Sequence, residues 1–184
     1  MELIFESLTT KTWQDFETLF GAQGGYSNCW CMYWRLTRRE FNLGCSSGNN
    51  KAAMKALVEQ GIIPGIIAYR KGQPVGWVSI APREQFSSLE RSPTLNRLDS
   101  QTVWSMVCFF ASKNMRGGLL GELIEGAVAY ARQQGASIVE AYPNLSHNTS
   151  HPVSRYMGTL KAFLAAGFLQ EGQGGTKAIL RKYL

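Results

Sequence analysis

The sequence predicts one α/β domain, and three patterns carry that prediction. Two apolar runs, residues 65–70 and 74–80, flank a short polar connection that contains glycine, as in a β-hairpin. Residues 103–111 are almost entirely apolar, which is typical of a central strand covered on both faces. A long apolar stripe over residues 119–131 then repeats at helical spacing and ends near a glycine.

The elements before the hairpin are shorter. Residues 3–5 predict a first strand, and Trp13, Phe16 and Phe20 lie at helical spacing in the helix that follows. Residues 26–36 form the most aromatic part of the chain and resemble a buried connecting helix. The pair Asn49-Asn50 is expected to cap a helix over residues 51–60.

The elements after the hairpin complete the domain. Residues 81–101 are mostly polar, so we expect a short helix near residues 85–90 within a functional loop. Residues 138–142 predict a further strand, and a last helix carries Met157, Leu160, Phe163 and Leu164. The segment 168–184 predicts two short closing strands around a glycine-rich turn.

Composition restricts the class of protein. A chain of 184 residues with 45% hydrophobic residues is long enough for one core, so we expect a single domain over residues 1–184. No run reaches the roughly 18 apolar residues of a membrane helix, and the first residues do not resemble a secretory signal. We therefore expect a soluble, cytoplasmic protein with free thiols. The net charge of +6 favours an anionic partner without identifying it.

The turn after the central strand carries the chemical signal. Arg116-Gly117-Gly118 opens the long helix, where glycines let a ligand approach and the helix N-terminus favours negative charge. Such a turn can hold a pyrophosphate. A dinucleotide-binding glycine fingerprint and a P-loop are both absent from the sequence, which disfavours those two classes.

The order of elements resembles the GNAT superfamily of acetyl-CoA-dependent N-acetyltransferases. The resemblance covers nearly the whole chain and is sharpest at residues 104–131 and 160–168. It implies a mixed, mostly antiparallel central sheet, splayed at the cofactor cleft, with helices on both faces. It also implies transfer of the acetyl group of acetyl-CoA to a primary amine of a small molecule or peptide, without a metal. Partners of the nucleic-acid or membrane type are not expected, whereas a homodimer is compatible with the resemblance.

The resemblance assigns the cofactor residues. The pantetheine arm is expected along Phe109, Phe110 and Ala111, with the oxyanion stabilised by a main-chain amide of that strand. The pyrophosphate is expected at Arg116, Gly117, Gly118, Leu119, Leu120 and Gly121. The usual first position of the turn is occupied by Met115, and Phe163 stands where the family often has a tyrosine that protonates the CoA thiolate.

Other groups must then supply the acid and the base. Tyr142 and Tyr156 are the available phenols, although both can also be ordinary half-buried aromatics. Glu140 lies two residues before Tyr142 and hence on the same strand face, which makes it the first candidate for the base. The alternative for Glu140 is a structural carboxylate paired with arginine or lysine. Glu84 is the second candidate.

Two further clusters permit several interpretations. The cysteines near residue 30 and the histidines His147 and His151 match no common zinc spacing, and the histidines border the expected acceptor site. Aromatic and basic residues form a second cluster, which comprises Trp30, Tyr33, Trp34, Arg35, Arg38 and Arg39. Three interpretations of this cluster stay open: a core segment with a solvated end, a wall of the acceptor pocket, and a nucleic-acid surface. The two functional alternatives to an enzyme are a non-catalytic acyl-CoA-binding regulator and a basic nucleic-acid-binding module.

Overall fold

The computed structural model describes residues 3–112, 118–146 and 156–184. Within these residues a single mixed sheet contains seven strands in the order β1-β2-β3-β4-β5-β7-β6. The strands are β1 (Ile4–Ser7), β2 (Ile66–Arg70), β3 (Gln73–Pro82), β4 (Trp104–Ala111), β5 (Ile138–Ala141), β6 (Leu169–Gly174) and β7 (Lys177–Tyr183). Only β4 and β5 pair in parallel, and every other neighbouring pair is antiparallel. The expected mixed, mostly antiparallel sheet is confirmed.

Helices cover both faces of this sheet. They are α1 (Trp13–Phe20), α2 (Arg38–Ser47), α3 (Asn49–Glu59), α4 (Ser87–Glu90), α5 (Leu120–Gln133) and α6 (Leu160–Ala165), with a 3₁₀ turn at Arg83–Gln85. On one face the apolar stripe of α5 packs on β3 and β4 together with α6. On the other face an aromatic core joins α1, α3 and the segment around residue 30 to β2 and β3. Because β4 is covered from both sides, its almost uninterrupted apolar sequence is explained.

The aromatic segment 26–36 is not the helix that its composition suggests. Its residues form successive turns, and Ser27, Asn28, Trp30 and Cys31 adopt positive φ angles between 46° and 60°. An α-helix requires negative φ, so four such residues exclude it. The turns direct Trp30 and Cys31 into the aromatic core.

The region that follows differs from the sequence prediction in two details. Helix α2 was not anticipated, and it begins at a capping box in which Thr37 and Glu40 satisfy each other's backbone amides. Helix α3 begins two residues earlier than expected, after Gly48 in the left-handed conformation. Asn50 is fully buried and donates to the carbonyls of Asn28 and Phe41, so it connects the two helices to the turns and does not cap α3.

Among the described residues, no helix is both long enough and apolar enough to cross a membrane.

Candidate active site

The parallel pair β4 and β5 separates along its length. Pairing is limited to residues 104–106 of β4, where Met106 faces Ala141 as the last pair. Beyond that point β4 continues for five residues, and the described chain supplies no strand partner on this edge. The main-chain groups of residues 107–111 therefore border an opening between the two strands, where an extended, amide-containing ligand could pair with them.

A β-bulge lies at the start of this opening. Ser79 pairs with Cys108 and Ile80 pairs with Met106, so Val107 is an extra residue in β4. A bulge reorients the local backbone amides and side chains. Val107 and Cys108 consequently both border the same pocket, although alternation along a regular strand would place them on opposite faces.

The pocket beside β4, which we call the strand-end pocket, is small, with a cavity volume of about 30 Å³, and is partly open to solvent. Its wall is almost entirely apolar, as expected for a site that excludes water from a reacting thioester. It is lined by Phe20, Gly24, Gly25, Tyr26, Cys29, Cys31, Tyr33, Trp34, Val107, Cys108, Phe110 and Tyr156.

The three residues expected along the pantetheine arm face different sides. Phe110 lines the strand-end pocket, whereas Phe109 is buried on the opposite face of the sheet against Phe163. Ala111 pairs with Gly76 at the end of β4. Only the main chain is shared by all three residues at the open edge, so any common contact with a ligand there must be made by backbone groups.

The described part of the glycine turn lies at the beginning of α5. At Gly118 and at Gly121 an added Cβ would meet no described atom within 4 Å, so packing inside the chain does not require glycine at either position. Leu119 is buried in the core and Leu120 is the first residue of α5. Arg116 and Gly117, with Met115, lie outside the described residues. The exposed N-terminal turn of a 14-residue helix is favourable for an anion.

Glu140 lies in a buried network of hydrogen bonds and ion pairs that is shielded from solvent. Its carboxylate accepts from Arg83 Nη1 at 3.2 Å, from Tyr142 Oη at 2.6 Å and from Arg181 Nε at 2.8 Å. Its exposed fraction is 1%, and neither it nor Tyr142 lines the strand-end pocket. The predicted shared face of Glu140 and Tyr142 is present, and it is directed into the protein.

The two arginines of this network have further carboxylate partners. Arg83 Nε donates to Glu90 at 2.5 Å, and Arg181 binds Asp99 through two bonds of 2.6 and 3.0 Å. The side-chain hydrogen bond from Arg181 holds the pKa of Asp99 well below its usual range. The network thus contains charges of both signs that are already paired.

Tyr142 is fully buried and bonded at its hydroxyl to Ser105 Oγ at 2.7 Å as well as to Glu140. Burial, reinforced by the neighbouring Glu140 carboxylate, raises the pKa of Tyr142 far above its usual value. Tyr142 is therefore a poor candidate for the proton donor, because it is buried in the core and does not line the strand-end pocket.

Tyr156 has the opposite environment. It lines the strand-end pocket, where its ring stacks on Phe110 at 6.4 Å and lies 5.9 Å from Tyr26. Of the two phenols, Tyr156 is the one that the fold brings to the end of β4. Phe163, at the position where the GNAT superfamily often has a tyrosine, is fully buried between Phe109 and Phe168.

The second carboxylate candidate, Glu84, has a half-exposed side chain that binds Arg97 Nη2 at 2.8 Å. It belongs to the surface end of the same set of ion pairs, since Arg97 also binds Glu90. Glu84 does not line either of the pockets near β4.

A second, more open pocket adjoins the first. We call it the cationic pocket because Arg38, Arg91 and Lys177 belong to its wall. It has a cavity volume of about 430 Å³ and is lined by Tyr33, Trp34, Thr37, Arg38, Phe41, Ser88, Arg91, Ser92, Pro93, Thr94, Leu95 and Lys177. Tyr33 and Trp34 belong to both walls, so the two pockets share a boundary.

In the described part of the chain, no group of three or more histidine, cysteine, aspartate or glutamate side chains is arranged to hold a metal ion. All four cysteines are free thiols. Cys31 accepts a hydrogen bond from Trp77 Nε1 at 3.2 Å within the aromatic core. His147 and His151 lie outside the described residues.

No protein-family model and no curated protein sequence matches the chain. Solved structures do match it. An acetyltransferase of the GNAT family from Listeria monocytogenes superposes with a TM-score of 0.61 over 99% of this chain and 95% of its own, at 13% identity. The chain has the GNAT fold.

Two other structures with this GNAT fold cover the chain completely. The PaiA N-acetyltransferase from Thermoplasma acidophilum, in complex with coenzyme A, has a TM-score of 0.56 and 10% identity over the full length of both chains. An agmatine N-acetyltransferase variant in its apo form has a TM-score of 0.58 and 11% identity, again over both full chains. The similarity therefore extends over the whole fold, at a sequence identity of 10 to 13%.

Sequence reasoning missed several residues of the site. Arg83 and Arg181, the partners of Glu140, are far from it in the chain, and a lone arginine gives no signal of burial. Arg91 and Lys177 were not considered for the pocket because they lie in a polar loop and at the start of a terminal strand. The aromatic and basic cluster gave a usable signal of a concave surface, because Tyr33, Trp34 and Arg38 line the cationic pocket.

Proposed function

We propose that the protein is an acetyl-CoA-dependent N-acetyltransferase that transfers the acetyl group to a primary amine by direct attack. The observation that carries the proposal is the separation of β4 from β5 beside an apolar pocket, in a chain with the GNAT fold. Acetyl transfer needs a place where a thioester lies against ordered main-chain donors and away from water. The end of β4 has these properties.

The residues present fit acetyl-CoA. The unpaired edge of residues 107–111 suits the amide groups of a pantetheine arm. The glycines at 118 and 121, which no described side chain crowds, suit the close approach of a pyrophosphate to the N-terminus of α5. Arg116 and Gly117 remain the proposed additional phosphate contacts from the sequence. No metal is required, because the thioester is already activated towards an amine.

The reaction balances without a further reactant. The neutral amine attacks the thioester carbonyl carbon, a C–N bond forms and the negative charge moves to the carbonyl oxygen. A main-chain amide near the bulge at Val107 is proposed to stabilise this oxygen. The C–S bond then breaks, the CoA thiolate takes a proton, and the nitrogen loses one.

The contacts of Glu140 favour its structural role over the role of general base. A carboxylate that is 1% exposed and bound to two guanidinium groups and a phenol has no position from which to take a proton from an amine in the pocket. We propose instead that water relays the ammonium proton from the strand-end pocket to the solvent. Glu84, at the surface, is an acceptor for such a relay only through several waters.

Tyr156 is the proposed proton donor to the departing thiolate. Its ring lines the strand-end pocket and stacks on Phe110, one of the residues whose backbone borders the open edge. The family position occupied by Phe163 lacks a hydroxyl group and is closed within the core. The phenol of Tyr156, which precedes α6 in the chain, would then supply the proton that a tyrosine at position 163 would have donated.

Calorimetric titration with acetyl-CoA tests the cofactor site. The wild type is expected to bind with a micromolar-range Kd, and Gly117→Glu is expected to lose binding because it adds a carboxylate where the pyrophosphate would lie. Ala129→Glu is the control, since it adds the same charge on the exposed face of α5, about 14 Å further along the helix. Absence of acetyl-CoA binding by the wild type would overturn the proposal.

Turnover is measured next by release of the CoA thiol with a panel of primary amines. Binding without acetylation of any amine would replace the enzyme with the acyl-CoA-binding regulator that the sequence also allows. The nucleic-acid-binding alternative is weakened, because Trp30, Trp34 and Arg35 are at most 9% exposed and only Arg38 and Arg39 of its cluster are exposed. Salt-sensitive binding of DNA or RNA without CoA affinity would restore it.

A further inference from the structure

Every charged side chain in the wall of the cationic pocket is positive. Arg38, Arg91 and Lys177 contribute to its wall, and none of its lining residues is acidic. Other arginines of the described chain, such as Arg70, Arg83 and Arg97, lie within ion-pair distance of carboxylates. Within the described residues, neither Arg38 nor Arg91 forms such a pair. A concave site whose wall carries cations and no acidic side chain favours an anionic ligand.

Neighbouring groups fix the position of the charges. Arg38 donates to Tyr33 Oη at 2.5 Å, and its guanidinium lies 4.6 Å from the centre of the Tyr33 ring. Lys177 Nζ donates to Asn144 Oδ1 at 2.8 Å. Hydrogen bonds from the hydroxyl and amide of Thr37 are the main cause of the lowered pKa of Glu40, and the positive charge of Arg91 helps to lower it.

The indole N–H of Trp34 provides an independent indication of a ligand. Trp34 is 9% exposed, and Nε1 has no hydrogen-bond partner within the part of the chain that the structure describes. A buried donor without an acceptor costs free energy, so such donors are rare in folded proteins. Trp34 belongs to the walls of both pockets, but its Nε1 has almost no accessible surface, so a ligand oxygen at the shared wall would reach it only after a shift of the indole ring.

We propose that the cationic pocket holds an anionic group of the acceptor, a carboxylate or a phosphate, while the amine of the same molecule enters the strand-end pocket. The inference rests on the proposed acetyltransferase function and narrows its substrate to amines that carry an anionic group. Tyr33 and Trp34, shared by the two pockets, lie between the two ends of such a molecule. Diamines and polyamines are excluded, since a second ammonium group would meet three cationic side chains.

Matched pairs of amines test the charge requirement. Phosphoethanolamine is compared with ethanolamine, and β-alanine with propylamine, by calorimetry in the presence of saturating CoA so that the cosubstrate's phosphates cannot occupy the pocket. The anionic member of each pair is expected to bind at least about 10-fold more tightly. A stronger effect in the phosphate pair identifies a phosphate site, and a stronger effect in the carboxylate pair identifies a carboxylate site. Equal or weaker binding of both anionic members overturns the inference.

Variants locate the effect in the pocket. Arg91→Gln combined with Lys177→Met is expected to remove the preference for the anionic members and to leave the affinity of the neutral amines unchanged. Arg39→Gln is the control, because Arg39 is an exposed neighbour of Arg38 in α2 that does not line the pocket. Loss of the preference in Arg39→Gln, or its retention in the double variant, contradicts the assignment.

The inference and the proposed function fail in different ways. Without acetyl-CoA binding the acetyltransferase proposal fails, whatever the amine data show. With acetyl-CoA binding and turnover of neutral amines or polyamines in preference to anionic amines, the enzyme stands and the anionic acceptor is wrong. Because amine binding is measured by heat and not by turnover, a slow chemical step cannot hide the result.

Discussion

The network around Glu140 and the cationic pocket both contain arginine side chains, but among the described residues only the arginines of the network form ion pairs with carboxylates. In the network, Arg83 and Arg181 are at most 2% exposed and share the carboxylates of Glu90, Asp99 and Glu140. In the pocket, Arg38 and Arg91 are exposed and have no ion pair among the described residues. Charges that are satisfied inside the protein stabilise the fold, whereas charges left unsatisfied in a concave surface are available to a ligand.

The difference between paired and unpaired charges also shows that residue type alone does not identify a functional side chain. Glu140 and Tyr142 have the residue types of catalytic groups, and Arg91 and Lys177 have the types of ordinary surface cations. In the structure, Glu140 and Tyr142 are buried and hydrogen-bonded to each other, whereas Arg91 and Lys177 line the cationic pocket. A functional role is favoured where a polar group is positioned but not fully bonded, and a structural role where every bond is already made.

The largest expected effect comes from breaking the closed network. Glu140→Gln removes the charge between two buried guanidinium groups, and we expect a loss of about 3 to 5 kcal/mol in the free energy of unfolding. Denaturant titration measures it. Glu84→Gln, at the exposed end of the same set of ion pairs, should change that free energy by less than about 1 kcal/mol.

The same variant distinguishes structure from catalysis. At a temperature where Glu140→Gln remains folded, kcat per folded molecule should stay near the wild-type value. A folded, stable Glu140→Gln enzyme with a large loss of kcat would instead make Glu140 the general base and remove the contrast between the two regions.

The next effect concerns the proposed proton donor. Tyr156→Phe keeps the ring that stacks on Phe110 and removes the hydroxyl, so kcat should fall by about 100-fold, equivalent to about 2.7 kcal/mol in the activation barrier. KM for acetyl-CoA should change little. Tyr142→Phe is the matched control, because it should reduce stability without a comparable loss of kcat. An unchanged kcat in Tyr156→Phe would show that the thiolate leaves without this acid.

A smaller effect follows from the titration of Lys177. Burial lowers the pKa of Lys177 to about 8, so its side chain is a cation below that pH and becomes neutral above it. The affinity for an anionic amine relative to its neutral partner should therefore decrease several-fold as the pH rises from about 7 to about 9. The ratio of KM values for β-alanine and propylamine measures this, since both amines lose their own proton over a similar range. Lys177→Met should abolish the pH dependence of the ratio, and its persistence there would assign the titration to another group.

The smallest effect is expected at the wall shared by the pockets. Trp34→Phe retains an aromatic ring and removes the indole N–H, so the affinity for an anionic amine should decrease by only a few-fold, as for one hydrogen bond of about 1 kcal/mol. The affinity for propylamine serves as the internal control. An equal decrease for both amines would indicate a loss of packing and not of a donor.

The sequence predicted the parts of the fold that depend on local patterns. The hairpin of β2 and β3, the central strand β4 and the stripe of α5 follow from periodicity, and each agrees with the structure. The segment 26–36 was predicted wrongly, because aromatic residues indicate burial but not backbone conformation. There the left-handed residues at Trp30 and Cys31 could not be inferred from residue type.

The candidate site was predictable to a lesser extent. The main chain of residues 109–111 and the turn at Gly118 and Gly121 followed from the resemblance, while the roles of side chains depended on contacts between distant segments. Glu140 meets Arg181 only because β5 pairs with β7, and Lys177 joins Arg38 only because β7 begins beside the loop before β4. Long-range pairing of this kind leaves no trace in a local pattern.

The proposed cofactor contacts and the cationic pocket are also drawn from the chain in different ways. The proposed cofactor site belongs to one continuous stretch, from β4 through the turn and α5 to β5. The cationic pocket takes its walls from three separate segments, near residues 33–41, 88–95 and 177. Under the proposed function, insertions or substitutions in those segments would change which amine is selected and leave the proposed cofactor contacts unaltered, so the preference for an acceptor could change separately from the binding of the acetyl donor.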